Sequence, residues 1–227
     1  MDITLSLMLL TLSLPLMLVV ALLVKLSSPG PVIYKQERCT IRGRVFCFYK
    51  FRSMPDNIEN GKGPEWGKTD DPRCNKFGRL LRMLLIDELP QLINVLKGDM
   101  SLVGPRPERP YFIERFKTSI KDYDLRHSVK AGLTGWAQVN GYRGNTSIIK
   151  RVACDLFYIR NRSIIFDLKI ILMTPFTIRI ATSNPKKKAL CISDRREKVP
   201  PYKLVFSSYL CSLHKFTYLK NIFFQKN

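Results

Sequence analysis

Residues 86–91 read Ile-Asp-Glu-Leu-Pro-Gln, so Asp87 and Glu88 place two adjacent carboxylates in an otherwise apolar and basic stretch. Arg73, Lys76, Arg79 and Arg82 precede them, and Lys97, Arg106 and Arg109 follow. A carboxylate pair ringed by cations suits a site that holds a metal ion and a phosphate together. The same residue types also suit an ordinary buried ion pair, because structural networks gather charges too. A solvated helix face would not carry Pro90 together with Leu84, Leu85, Leu89 and Leu92.

The elements around this pair follow from spacing. Phe77, Leu80, Leu81, Leu84 and Leu85 recur at helical intervals, and a second apolar helix fits Leu89 to Leu96. Proline is comfortable only in a helix's first turn, so Pro90 divides the two. Asp87 is then expected at or near the N-cap of the helix carrying Leu92, Ile93 and Leu96. There the helix terminus would keep it ionised and point free N–H groups at a bound phosphate. Glu88, beside it, would have its pKa pushed the other way by like-charge repulsion. Upstream, Val32–Tyr34 and Val45–Phe51 read as short strands joined by a turn at Gly43, and residues 56–72 as a polar, flexible loop.

Ile3 to Val24 are twenty-two uncharged residues, long enough to cross a bilayer. Pro15 lies mid-stretch, so the segment is expected either to span with a bend or to enter and turn back. Lys25, Lys35, Arg38, Arg42, Arg44 and Lys50 follow, which places the C-terminal side in the cytoplasm and leaves Met1 undecided. The formal charge is +20, and the tail after Asn184 carries +8 of it: ten Lys/Arg against Asp194 and Glu197. Such an excess suits a phospholipid surface, a nucleotide or nucleic acid. Nucleic-acid binding would require a recognisable module or a basic–aromatic stripe, and the body offers neither. The six cysteines are scattered without a C-x-x-C pair and are read as reduced thiols.

The chain resembles the bacterial sugar transferase family, the monotopic polyprenyl-phosphate phosphoglycosyl transferases. The strings that carry the resemblance are Ser28-Pro-Gly-Pro-Val, Tyr49-Lys-Phe-Arg-Ser-Met, Gly78-Arg-Leu-Leu-Arg and Asp87-Glu-Leu-Pro-Gln-Leu-Ile-Asn-Val. They continue with Gly98-Asp-Met-Ser-Leu-Val-Gly-Pro-Arg-Pro, Gly132-Leu-Thr-Gly-Trp-Ala-Gln-Val-Asn-Gly and Asp167-Leu-Lys-Ile. The resemblance implies a mainly α fold with a small β component, divided as a re-entrant membrane helix kinked at Pro15 (1–27), a cytosolic catalytic domain (28–180) and a basic tail (181–227). It implies a bacterial inner-membrane enzyme facing the cytoplasm. This enzyme would move a sugar phosphate from a UDP-sugar to undecaprenyl phosphate, releasing UMP, to begin assembly of a polysaccharide. Asp87 is the implied nucleophile, with Glu88 as partner and Mg²⁺ as cofactor. Arg82 and Arg106 are the implied substrate-binding cations, with Lys50 and Arg52 beside them, and Asp87 is among the metal's oxygen ligands.

The opening Met1-Asp2 lacks the family's usual basic residues, and Gly141-Tyr-Arg-Gly-Asn-Thr resembles longer relatives, so a trimmed form of one is expected. Arg162 stands where tryptophan is common, and the tail beyond Thr177 matches nothing recognised. Asp122-Tyr-Asp124 has the spacing of a metal-binding pair in sugar-only (Leloir) transferases, which release UDP instead; it is read here as surface charge with Lys121 and Arg126. Trp136 is read as core or interface packing. A catalytically degenerate membrane-anchored binding protein is the remaining alternative.

Overall fold

A computed structural model describes residues 1–55, Trp66 and residues 73–183, with side chains to residue 177. The loop expected at 56–72, Trp66 apart, and the basic tail beyond residue 183 lie outside the described residues. The fold is mainly helical with a small sheet component, as expected.

Helix α1 (Asp2–Ser27) is leucine-rich, with Asp2 in its first turn and Lys25 in its last, the signs a helix dipole favours. Pro15 lies inside this one uninterrupted helix. By length and composition α1 suffices to cross a membrane. Most of its leucines face outward, whereas Ser6, Met17, Val20 and Val24 are buried against the body. Its first half packs, through Leu5, Leu9 and Leu10, on the main core; its second half joins a smaller cluster with Phe51 and Leu81. Both ends are tied down as well. Asp2 Oδ1 accepts from the Leu102 N–H at 3.5 Å, and at the other end the Arg52 guanidinium donates to the Ser28 and Pro29 carbonyls, each at 2.6 Å.

Strands β1 (Ile33–Cys39) and β2 (Val45–Phe51) form an antiparallel hairpin, β1 running further than its sequence suggested. The turn between them places both Arg42 (φ 56°) and Gly43 (φ 73°) in the left-handed region. Alternation along β2 sends Phe46 and Phe48 into the main core, and Lys50 follows on the same face, opposite Tyr34. Helix α2 (Lys76–Leu84) starts at Asn75, whose side chain accepts from the Gly78 N–H at 2.6 Å. A Cβ on Gly78 would lie 2.0 Å from the Ser53 carbonyl oxygen, so only glycine lets α2 press its backbone onto the end of β2.

Helix α3 (Gln91–Leu96) is locked to the hairpin by Asn94. That fully buried amide accepts from the Tyr49 N–H (3.1 Å) and donates to the Cys47 carbonyl (2.7 Å), as a further strand would. Both backbone groups lose their partner when Asn94 is truncated. Asn94→Ala should therefore cost about 2–4 kcal/mol in urea unfolding, and a cost below about 1 kcal/mol would show that the clamp is dispensable.

Strand β3 (Ser101–Val103) pairs in parallel with β4 (Gly132–Thr134) at the centre of the core. A Cβ on Gly132 would meet the Gly104 nitrogen at 2.1 Å, so the two strand ends touch backbone to backbone and fix the turn that starts at Gly104. Helices α4 (Pro110–Ser119), α5 (Trp136–Val139), α6 (Ile148–Arg160) and α7 (Ile164–Ser183) complete the body. Trp136 is core, stacked on Phe157 and tilted against Phe166, as read from sequence. Trp66 sits edge-on to Phe112 (4.7 Å) and Phe116 (5.5 Å) of α4. On α7, Ile164, Leu168, Leu172 and Phe176 recur every fourth residue and are exposed, while Ile170 is fully buried.

The described cysteines, Cys39, Cys47, Cys74 and Cys154, are free thiols. Asp124 pairs at the surface with Lys117, in keeping with a surface role for that short acidic motif. Arg126 corrects the expectation: it is buried at 2% exposure and bonded to Asp155, not solvated beside Asp124.

Candidate active site

The carboxylate pair lies in a single 3-10 turn, Ile86–Glu88, between α2 and α3. Helix α2 ends at Leu85, which takes a left-handed conformation (φ 59°) unusual for a leucine. This reversal separates the two helices and turns Asp87 inward. Pro90 precedes α3 in helical geometry, as its first-turn preference requires. Asp87 is not the N-cap of α3, however: Pro90 occupies that place, and no side-chain cap bond forms. With the 3-10 turn interposed, the carboxylate faces the hairpin instead.

Glu88 is gripped by two guanidiniums. Arg106 binds it through both nitrogens, Nη2 to Oε1 at 2.5 Å and Nη1 to Oε2 at 3.3 Å. Arg143 Nη2 lies 2.6 Å from Oε2. Burial alone would raise the Glu88 pKa, but the charges of Arg106 and Arg143 outweigh it and hold the carboxyl well below the usual range. Asp87 has the opposite fate. It is 5% exposed, its Oδ1 has no hydrogen-bond partner, and burial followed by the neighbouring Glu88 charge pushes its pKa up to about 6. Lys50, Arg143 and Arg82 pull the other way without cancelling the rise. This reverses the order expected from sequence, in which Asp87 was held ionised and Glu88 was pushed up. Desolvation and two distant arginines outweigh any helix-end effect.

Lys50 joins the site. Its ammonium lies over the Tyr34 ring at 5.0 Å, and burial lowers its pKa to about 8 despite the attraction of Asp87. Arg82 donates to Cys74 Sγ at 3.1 Å and acts electrostatically on both Asp87 and Lys50. Arg52 does not join them. Its guanidinium is buried and directed at the carbonyls that close α1, because the strand ends at Phe51 and the chain turns away. Of the sequence-derived candidates, the fold thus gathers Asp87, Glu88, Lys50, Arg82 and Arg106. Arg143 is a residue that sequence reasoning missed; its signal was the Gly141-Tyr-Arg-Gly string, noted but given no role.

Among the described residues no group of three or more His, Cys, Asp or Glu could enclose a metal ion. Asp87 Oδ1 is buried without a hydrogen-bond partner, whereas both Glu88 oxygens face arginines. A cation here would find a single protein carboxylate and take its other oxygens from solvent or substrate.

The arrangement is suited to nucleophilic attack on an anion: a buried, unsolvated carboxylate whose approach to phosphate is eased by four surrounding cations. Comparison with known proteins bears on what that anion is. Residues 1–180 match the model of the bacterial sugar transferase family. The chain belongs to that family. Over 179 residues it is 49% identical to the UDP-glucose:undecaprenyl-phosphate glucose-1-phosphate transferase of Escherichia coli K12, covering 77% of this chain and 38% of that protein. It is 44% identical over 180 residues to the UDP-N-acetylgalactosamine-undecaprenyl-phosphate N-acetylgalactosaminephosphotransferase of Aeromonas hydrophila, covering 78% and 42%. The uncharacterized sugar transferase EpsL of Bacillus subtilis is 43% identical over 173 residues, covering 76% and 82%. The chain thus spans about two fifths of the length of the first two relatives.

For this family member the charge of Lys50 gives a directional test. Lys50 favours the ionised form of Asp87, so its removal raises the Asp87 pKa. In Lys50→Met the acid limb of any Asp87-dependent activity should shift to higher pH by about one unit. An unmoved or lowered limb would show that Lys50 does not act on Asp87.

Proposed function

We propose that this chain is a phosphoglycosyl transferase that moves a sugar 1-phosphate from a UDP-sugar to undecaprenyl phosphate and releases UMP. The observation that carries the reading is the state of Asp87: buried, one oxygen unpartnered, and held amid Lys50, Arg82 and Arg143 beside a Glu88 already neutralised by arginines. In the proposed reaction an Asp87 oxygen attacks the sugar-bearing phosphorus. The phosphorus–oxygen bond to UMP breaks, the leaving oxygen keeps the electron pair, and an aspartyl phosphosugar forms. A terminal oxygen of undecaprenyl phosphate then attacks the same phosphorus and returns the carboxylate to Asp87. Lys50, Arg82, Arg106 and Arg143 offset the charge that would otherwise repel one anion from another.

The donor set fits Mg²⁺, which commonly takes one or two carboxylates and completes its shell with water and substrate phosphates. Asp87 is the residue that would hold it, and the ion would supply charge neutralisation at the diphosphate.

The membrane arrangement proposed with this activity is re-entrant, with the body on the cytoplasmic face of the inner membrane. A 26-residue helix is about 39 Å long, yet Asp2 and Val24 both contact the same folded body. Outward leucines on α1 and the exposed stripe on α7 offer apolar surface to lipid.

The test is incubation of the detergent-solubilised protein with undecaprenyl phosphate, Mg²⁺ and a panel of UDP-hexoses that includes UDP-glucose and UDP-N-acetylgalactosamine. UMP is the expected product. UDP in its place would favour a sugar-only transferase, and no nucleotide release with any donor would leave a binding protein.

A further inference from the structure

Beneath the site lies a charge cluster that the proposed chemistry does not use: Arg126, Arg151, Glu108 and Asp155, all buried. Its bonds lead to the two segments that carry the Glu88 clasp. Arg106 stands between β3 and α4, and Arg143 between α5 and α6. Arg151, from α6, donates through Nη1 to Glu108 Oε1 at 2.6 Å, two residues beyond Arg106. Its Nη2 donates to the Gly144 carbonyl at 2.7 Å, one residue beyond Arg143, and lies 3.3 Å from Thr146 Oγ1. One guanidinium thus bridges both segments. Arg126 secures the first of them directly, donating through Nη2 to the Arg106 carbonyl (3.0 Å) and to Asp155 Oδ2 (2.8 Å), and through Nη1 to Tyr123 Oη (3.0 Å).

We propose that Arg151 and Arg126 are positioning residues that set the spacing of Arg106 and Arg143 and so fix the clasp on Glu88. Stability alone is a weak reason for this cluster, because buried ion pairs are often matched or bettered by apolar residues of similar volume. Arg126 and Arg151 also each leave Nε buried without a partner, at a cost to the fold. A planar, forked donor offers fixed geometry: Arg151 holds the Glu108 carboxylate of one segment and the Gly144 carbonyl of the other at a set distance, which a single ammonium cannot reproduce. The clasp in turn decides which of the paired carboxylates carries the settled charge.

The inference rests on the phosphotransfer reading and is tested in single turnover on the full chain, with UMP release read for amplitude and rate. In Arg151→Lys the amplitude should stay that of the wild type, while the rate constant falls about 10- to 100-fold, the effect of a small misplacement. In an Arg143→Gln background the same substitution should cost less than about 3-fold, because the arm it sets is already gone. A purely structural role would instead lower the amplitude at an unchanged rate, or give the full loss in both backgrounds, and either result overturns the proposal. Should Arg151→Lys fail to fold, Tyr123→Phe removes one hydroxyl from Arg126 and keeps every charge. A slowed rate at full amplitude is expected there, about 3-fold, and an unchanged rate overturns the positioning role. Wild-type protein that releases no UMP with any donor would overturn the reaction itself, a distinct outcome from an active enzyme indifferent to Arg151→Lys.

Discussion

Asp87→Asn should abolish UMP release and raise the melting temperature at the same time. The first effect follows from the proposed role: an amide cannot form the acyl phosphate, and loss of a covalent nucleophile costs at least about 10³-fold. The second follows from burial. The Asp87 pKa stands at about 6 in the folded chain against an ordinary 3.8, so the fold disfavours its charged form. For a carboxyl with a raised pKa the penalty is absent below about pH 4, grows between the two values and is fully present above about pH 6. An uncharged isostere escapes it, gaining about 1–3 kcal/mol at pH 7.5, or about 2–4 °C per kcal/mol. The gain should vanish near pH 4. Differential scanning fluorimetry at both pH values, beside a UMP assay, reads all three outcomes. Near-normal turnover would remove Asp87 as nucleophile, and a lower melting temperature at pH 7.5 would mean that its charge stabilises the fold.

Glu88→Gln should act in the opposite sense on stability. The wild-type carboxylate answers Arg106 and Arg143, and the amide leaves both guanidiniums half-buried and uncompensated. Breaking a buried pair from one side costs about 3–5 kcal/mol. Because the folded Glu88 pKa lies below its ordinary 4.5, its contribution is present above that value and is lost as pH falls through the folded value. The stability gap between wild type and variant should therefore be full at neutral pH and narrow in acid. The Glu88 charge also raises the Asp87 pKa, so its removal should move the acid limb of activity to lower pH, opposite to Lys50→Met. A variant as stable as the wild type, with its limb unmoved or shifted upward, would show that the two carboxylates are not coupled.

These opposed directions mark how far the residues read in order could reach. Local punctuation was legible: Pro90 breaks the chain between two short helices, Gly43 turns the hairpin, and the alternation of β2 brings Lys50 onto the face of Phe46 and Phe48. The Asp87–Glu88 pair, its cationic setting and the family strings were visible for the same reason, being contiguous in the chain. Arg52 shows where adjacency misleads, since a strand end one residue earlier sends it to the Ser28 and Pro29 carbonyls just past α1. Arg126 shows the same limit at longer range. A charge beside Asp124 reads as solvated until Asp155, 29 residues away, is folded against it.

By itself, then, the sequence determined the apolar helix, the turns, the neighbouring carboxylates and the family. Those depend on chemistry within a few residues of each position. Only the tertiary structure decided which carboxylate is neutralised and which is left unsolvated. That choice depends on burial and on Arg106 and Arg143, 18 and 55 positions beyond Glu88, whose approach is a property of the closed core and not of any stretch of chain.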